Sequence, residues 1–189
     1  QYLQTENPDE KRQFQSIARQ KLGRCRMLVV CGSVNTISSS QMDLAEHSGI
    51  PRIHLPMERL LGTDSDSTPA FKAVADDLWE AYSASSSLVV DTLSANGDVS
   101  VMEETPDLNL EEIRQRVSRR IAALLRDLLD RGADARILII GGDTLLAFLE
   151  AAHCTELIPL GEPTPGVVLS LIHYHGTVSY THLTLPTIA

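Results

Sequence analysis

The chain is poor in positive charge, in cysteine and in long apolar runs, and each shortage narrows what it can be. Sixteen Lys and Arg stand against 25 Asp and Glu, giving a formal net charge of −9 over 189 residues. Nonspecific binding to a phosphate backbone depends on clustered Lys and Arg, so nucleic acid is not an expected partner. After Arg136 there is no Lys or Arg at all, while Asp143, Glu150, Glu156 and Glu162 lie in that stretch. No run approaches the roughly 18 apolar residues of a membrane span, so no membrane partner is expected either. Three cysteines, Cys25, Cys31 and Cys154, form no C-x-x-C pair. Neither a disulfide framework nor a thiolate zinc site follows, and buried thiols in a reducing cytoplasm are the expectation. The chain opens on Gln1 with polar and charged residues and lacks the apolar core of a signal peptide, which reads as an internal start.

What is present is an ordinary globular composition, 43% hydrophobic and 22% charged. Residues 6–24 carry Phe14, Ile17, Ala18 and Leu22 at the spacing of one amphipathic helix ending at Gly23. Apolar runs at Arg26-Met-Leu-Val-Val30, Ile53-His-Leu55, Ser87-Leu-Val-Val-Asp-Thr92 and Arg136-Ile-Leu-Ile-Ile140 predict four strands, with Leu157–Leu160 and Gly166–Ile172 as further candidates. Helices are predicted between them. One has Ser38 as N-cap, Gln41 completing a capping box, Ile37 and Met42 as a hydrophobic staple, and Gly49 as its close. A second runs from about Pro69 to Ser83. A third starts with Asn109 and Glu112, carries Ile113, Val117, Ile121, Leu124 and Leu128 on one stripe, and ends at Gly132. A short fourth spans Thr144 to Ala152. Strands that are continuously apolar and alternate with helices predict an α/β fold, a mostly parallel sheet flanked by helices.

Two places share one design. Met27–Val30 runs into Cys31-Gly32-Ser33 ahead of a helix, and Ile137–Ile140 runs into Gly141-Gly142-Asp143-Thr144 ahead of another. Ligands of open α/β sheets bind beyond the carboxyl ends of the strands. Glycine lets backbone N–H groups approach a phosphate, and a helix N-terminus offers unsatisfied donors with about half a positive charge. Gly32, Ser33, Gly141, Gly142, Asp143 and Thr144 are therefore the candidate binding residues. In the functional reading the Gly141 and Gly142 amides and the Thr144 hydroxyl hold phosphate oxygens, and Asp143 requires a Mg²⁺ or a hydroxyl donor beside that anion. In the structural reading the glycines serve a tight turn and Asp143 or Thr144 caps a helix. No Walker motif, no G-x-G-x-x-G and no G-x-S-x-G follows a strand. His173 and His175 share a strand face but lack a third ligand, and His47, His54 and His153 read as ordinary surface or core histidines. No catalytic residue or metal ligand is assigned.

Val29-Val-Cys-Gly-Ser-Val-Asn-Thr-Ile-Ser38 followed by Gln41, with Gly141-Gly-Asp-Thr144 about a hundred residues on and a Pro165-Gly166 turn after it, resembles the C-terminal nucleotide-binding domain of the four-carbon acid sugar kinases. These are the threonate, erythronate and 3-oxo-tetronate kinases. The resemblance covers roughly residues 24–178. It implies ATP and Mg²⁺ as cofactors, a sugar acid bound by a separate N-terminal domain, and nucleotide contacts from Ser33 and Gly141–Thr144. It departs where the family continues into an S-K-S-G-x-F-G type motif, since here His175-Gly-Thr-Val178 is followed by Ser179–Ala189. That last stretch resembles translated adapter read-through and is set apart from the fold. The expected organisation is a linker helix over 1–23, a truncated nucleotide-binding domain over 24–178 and a foreign tail over 179–189. Such a domain would not be active alone. A noncatalytic α/β module that binds a phosphorylated metabolite is the alternative.

Overall fold

A computed structural model describes residues 26–32, 36–55, 60–61, 68–92, 109–164, 167–175 and 177–184. The predicted helix over 6–24, Ser33 and the Pro165-Gly166 turn lie outside these residues. Seven strands form one sheet: β1 (Arg26–Cys31), β2 (Arg52–His54), β3 (Ser87–Asp91), β4 (Ala135–Ile140), β5 (Ile158–Thr164), β6 (Val167–Tyr174) and β7 (Thr177–Thr184). Helices α1 (Thr36–His47), α2 (Pro69–Ala84), α3 (Leu110–Asp130) and α4 (Gly142–Ala151) connect the first five. The sheet order is β2-β3-β1-β4-β7-β6-β5. All pairs from β2 to β7 are parallel, and β7-β6 and β6-β5 are antiparallel. The expected mostly parallel α/β sheet is what forms.

The continuous apolar runs are explained by burial on both faces. Leu28, Val30, Leu88, Val90, Ile137 and Ile139 point to one face, where α2, α3 and α4 cover them through residues such as Leu78, Ile121, Leu124 and Phe148. Val29, Cys31 and Val89 alternate to the other face and pack against Met42 and Ala45 of α1. Successive side chains of a strand point to opposite faces, so a parallel strand clad on both sides has no polar positions left.

Several helix ends follow local chemistry. Asn109 and Glu112 form the predicted reciprocal capping box, with bonds of 2.9 and 2.8 Å. Thr68 caps α2 by accepting from the Phe71 amide, with Pro69 as its first residue. Gly49 and Gly132 take positive φ after α1 and α3. The start of α1 does not follow its expected signal: it begins at Thr36, two residues before the expected Ser38 cap. Ser38 is buried inside the first turn, and Ile37 is 67% exposed while Met42 is 4% exposed, so the two do not form a staple. Burying Met42 against β1 and β3 sets the helix phase and turns Ile37 to solvent.

Residues 179–184, expected to stand apart from the fold, belong to β7. This strand lies between β4 and β6, pairing Ile137–Ile140 on one side and Val167–Tyr174 on the other. The reversal from β6 uses His175 at φ 46°, a conformation suited to tight hairpin turns.

Candidate functional site

The chain order of the strands determines where a crevice opens. β1 and β4 are neighbours, yet the helix after β1 packs on one face and the helix after β4 packs on the other. The chain therefore diverges above and below the sheet at their carboxyl ends, which is where open α/β sheets bind ligands. β3 is the other neighbour of β1, and the helix following it packs on the same face as α4. The connection from β3 instead runs across β1 to β4, so the switch point lies between β1 and β4.

Both predicted glycine turns lie at this place and touch each other. The Gly32 amide donates to the Ile140 carbonyl at 3.1 Å, extending the β1-β4 ladder into the turn. The Thr144 hydroxyl fills the space that a Cβ on Gly32 would need, and Thr144 Cβ itself would be 3.2 Å away. Thr144 is 1% exposed. Its hydroxyl is thus packed against the first turn, which explains in steric terms why residue 32 has no side chain.

Gly141 has φ 122° and ψ 122°, a backbone region open to glycine, and serves as the N-cap of α4 without any side-chain cap bond. Neither Asp143 nor Thr144 is the cap, so the capping explanation of this segment does not describe it. Gly142 and Asp143 are exposed in the first turn of α4. A Cβ on Gly142 would meet nothing within 4 Å. The turn thus presents open space above a helix N-terminus, with one carboxylate at its rim. Those features fit a phosphate approached by backbone donors, and Asp143 fits a hard cation between itself and phosphate oxygens. Five of the six predicted residues come together here, with the Thr144 hydroxyl buried against Gly32 instead of turned to a phosphate as expected; Ser33 lies outside the described residues.

A second group at the carboxyl edge was not singled out from the sequence. Asp91 ends β3 with its side chain wholly buried. Arg52 Nε donates to Asp91 Oδ2 at 2.6 Å, and its NH1 group donates to Asp43 at 2.6 Å and Glu46 at 3.2 Å. His54 Nδ1 lies 2.9 Å from Asp91 Oδ1. Burial alone would lower the Arg52 pKa, but the bond to Asp43 and the charge and bond of Asp91 outweigh it and hold the guanidinium above its ordinary value. The sequence signal available was a lone carboxylate closing an otherwise apolar buried strand.

Basic side chains gather elsewhere, around a cleft of about 450 Å³ between α3, α4 and residues 60–61, lined by Arg116, Arg119, Arg120, Arg126 and Glu150. None of the described residues among the predicted binding set lines it. His173 and His175 are exposed, and among the described residues no group of three His, Cys, Asp or Glu could hold a metal ion. Among the same residues no helix is long and apolar enough to cross a membrane.

A mostly parallel sheet clad on both faces, with glycine turns meeting at its switch point, defines an α/β class of domain whose ligands bind at the carboxyl edge. Residues 28–186 match the family model of the nucleotide-binding C-terminal domain, and the chain belongs to that family. This bears out the resemblance to the C-terminal nucleotide-binding domain of the four-carbon acid sugar kinases. No protein of curated function matches the chain in sequence. Among solved structures it is similar to a domain of unknown function from Bordetella bronchiseptica, crystallised with citrate as a domain-swapped dimer. The identity there is 17%, the coverage 85% of this chain and 37% of the other, and the TM-score 0.65. It is likewise similar to a Salmonella typhimurium protein with a provisional tRNA synthase name, at 16% identity, 87% and 38% coverage and TM-score 0.67. A Haemophilus influenzae protein matches at 12% identity, 86% and 37% coverage and TM-score 0.65. At these identities the likeness is one of fold. The chain spans little more than a third of the length of these proteins.

Proposed function

We propose that this domain is the ATP-binding part of a kinase that phosphorylates a four-carbon sugar acid. The observation that carries the reading is the packing of Thr144 against Gly32 at the switch point, beside an α4 N-terminus that no side chain caps. The α4 amides and the macrodipole favour the polyphosphate, and Asp143 would hold a Mg²⁺ that neutralises charge on its oxygens. Phosphoryl transfer requires chiefly positioning and charge stabilisation, which backbone donors supply without a basic side chain. The sugar acid and the group that takes its hydroxyl proton belong to the parent enzyme's other domain.

Calorimetric titration of the chain with Mg·ATP, and separately with ribose 5-phosphate, tests the reading. Binding of Mg·ATP that weakens in Asp143→Ala is the expected result. Binding of the sugar phosphate alone would favour a noncatalytic module for a phosphorylated metabolite. In the intact kinase Asp143→Ala is expected to lower turnover by about a hundredfold or more, the scale of losing one transition-state charge contact. Undiminished turnover would remove Asp143 from the site.

A further inference from the structure

The group around Asp91 contains a strut and one side chain the strut does not need. Arg52 ties Asp43 and Glu46 of α1 to Asp91 of β3, and this link is complete without His54. His54 nevertheless sits on the same buried carboxylate while its own side chain is 41% exposed. A carboxylate paired with Arg52 accepts hydrogen bonds, so Nδ1 of His54 carries the proton and donates it to Asp91. Nε2, across the ring, is then left as an acceptor on a ring whose orientation the Asp91 bond fixes.

His54, Asp91, Cys31 and Ile140 form one register row across β2, β3, β1 and β4. With strands about 4.8 Å apart, His54 lies about 10 Å from the end of β1 and about 14 Å from the end of β4. The row is the carboxyl edge of the sheet, running from the switch point between β1 and β4 past β3 to β2. Its two ends differ in charge. At β4 the helix N-terminus offers a partial positive charge. At β2 three carboxylates, Asp43, Glu46 and Asp91, outnumber the Arg52 guanidinium, and the sum is negative whether or not the imidazole is charged. A phosphate is favoured at the first end and repelled at the second. An uncharged, hydroxyl-bearing group suits the second.

We infer that His54 binds the nucleoside end of the nucleotide, its Nε2 accepting a hydrogen bond from a ribose hydroxyl while the phosphates lie over the two glycine turns. The inference rests on the nucleotide reading above. It assigns a direction to the ligand along the sheet edge and gives Asp91 the role of positioning the ring.

His54→Asn separates the two bonds, because the asparagine amide can replace Nδ1 as donor to Asp91 but has nothing in the place of Nε2. Calorimetry of the 189-residue chain with Mg·ATP and with Mg·tripolyphosphate, which lacks the nucleoside, reads the effect. His54→Asn is expected to weaken Mg·ATP about tenfold, the scale of one net hydrogen bond, and to leave tripolyphosphate affinity and melting temperature unchanged. The unaltered chain should lose the same factor toward 2′,3′-dideoxy-ATP, with no further loss in His54→Asn. Equal Mg·ATP affinity in the variant and the unaltered chain would overturn the role of His54 and leave the nucleotide reading standing. Parallel loss of both ligands with a lowered melting temperature would make the residue structural and overturn the inference. Failure of the unaltered chain to bind either ligand would overturn the nucleotide reading and this inference together.

Discussion

Thr144 and Gly32, more than a hundred residues apart, are in direct contact: the hydroxyl of one occupies the position a β-carbon of the other would take. This contact locks the turn after β1 to the first turn of α4. Gly32→Ala therefore forces an overpacked junction and should destabilise the chain by about 1–3 kcal/mol. Adding Thr144→Ala to that variant removes the clashing oxygen and should recover part of the loss. Urea denaturation of the two single variants and the double variant measures the coupling, expected at about 0.5–3 kcal/mol. Strict additivity would show that the two turns are independent.

The two glycines of the second turn should behave differently. Gly141, at φ 122°, resists any side chain, and Gly141→Ala should cost about 1–3 kcal/mol of stability. Gly142 lies in the helix with open space around it, so Gly142→Ala should keep or slightly raise the melting temperature. Its new methyl group would nevertheless stand over the helix N-terminus, and Mg·ATP affinity should fall. Thermal melts and calorimetry on the two variants read these opposite patterns, and unchanged affinity in Gly142→Ala would move the phosphates away from this turn.

Alkaline pH should expose a third relationship. Tyr174 donates to Asp130 at 2.6 Å, and burial, followed by that bond and charge, pushes its hydroxyl up to about 12. The folded state then keeps a proton that the unfolded chain releases near its ordinary pKa of about 10. Stability from this group is complete below about pH 10 and is lost as pH rises toward about 12. Tyr174→Phe removes the titration, so its stability should fall less steeply than that of the unaltered chain across that window. Parallel slopes in denaturation series between pH 9 and 12 would refute the assignment.

Much of the fold was legible because its signals are local. The capping box at Asn109 and Glu112, the apolar stripe of α3 and the glycines ending α1 and α3 act within a few residues, so their spacing alone identifies them. The start of α1 was misplaced because Ser38 has the chemistry of a cap, while packing of Met42 onto the sheet decides the helix phase. The role of residues 177–184 was likewise hidden, since pairing with β4 and β6 is a long-range choice that a short alternating segment does not declare.

The same division holds at the site. Glycines after buried strands marked both turns, because the close approach of the Thr144 side chain at Gly32 and positive φ at Gly141 exclude other residues at those points. Their contact, the assignment of the α4 cap to Gly141 instead of Asp143, and the switch point between β1 and β4 required the order of strands in the sheet. His54 illustrates the limit most clearly. As a letter in a three-residue strand it is an unremarkable histidine, and only the parallel register of β2 and β3 places it on the buried carboxylate of Asp91. The sequence by itself determined the alternation of strands and helices, the acidic balance and the two glycine turns, through short-range sterics and hydrophobic periodicity. Tertiary structure alone decided which turns meet, which side chains share a carboxylate and which way a ligand would lie, because those depend on strand order and on the faces to which the helices cross.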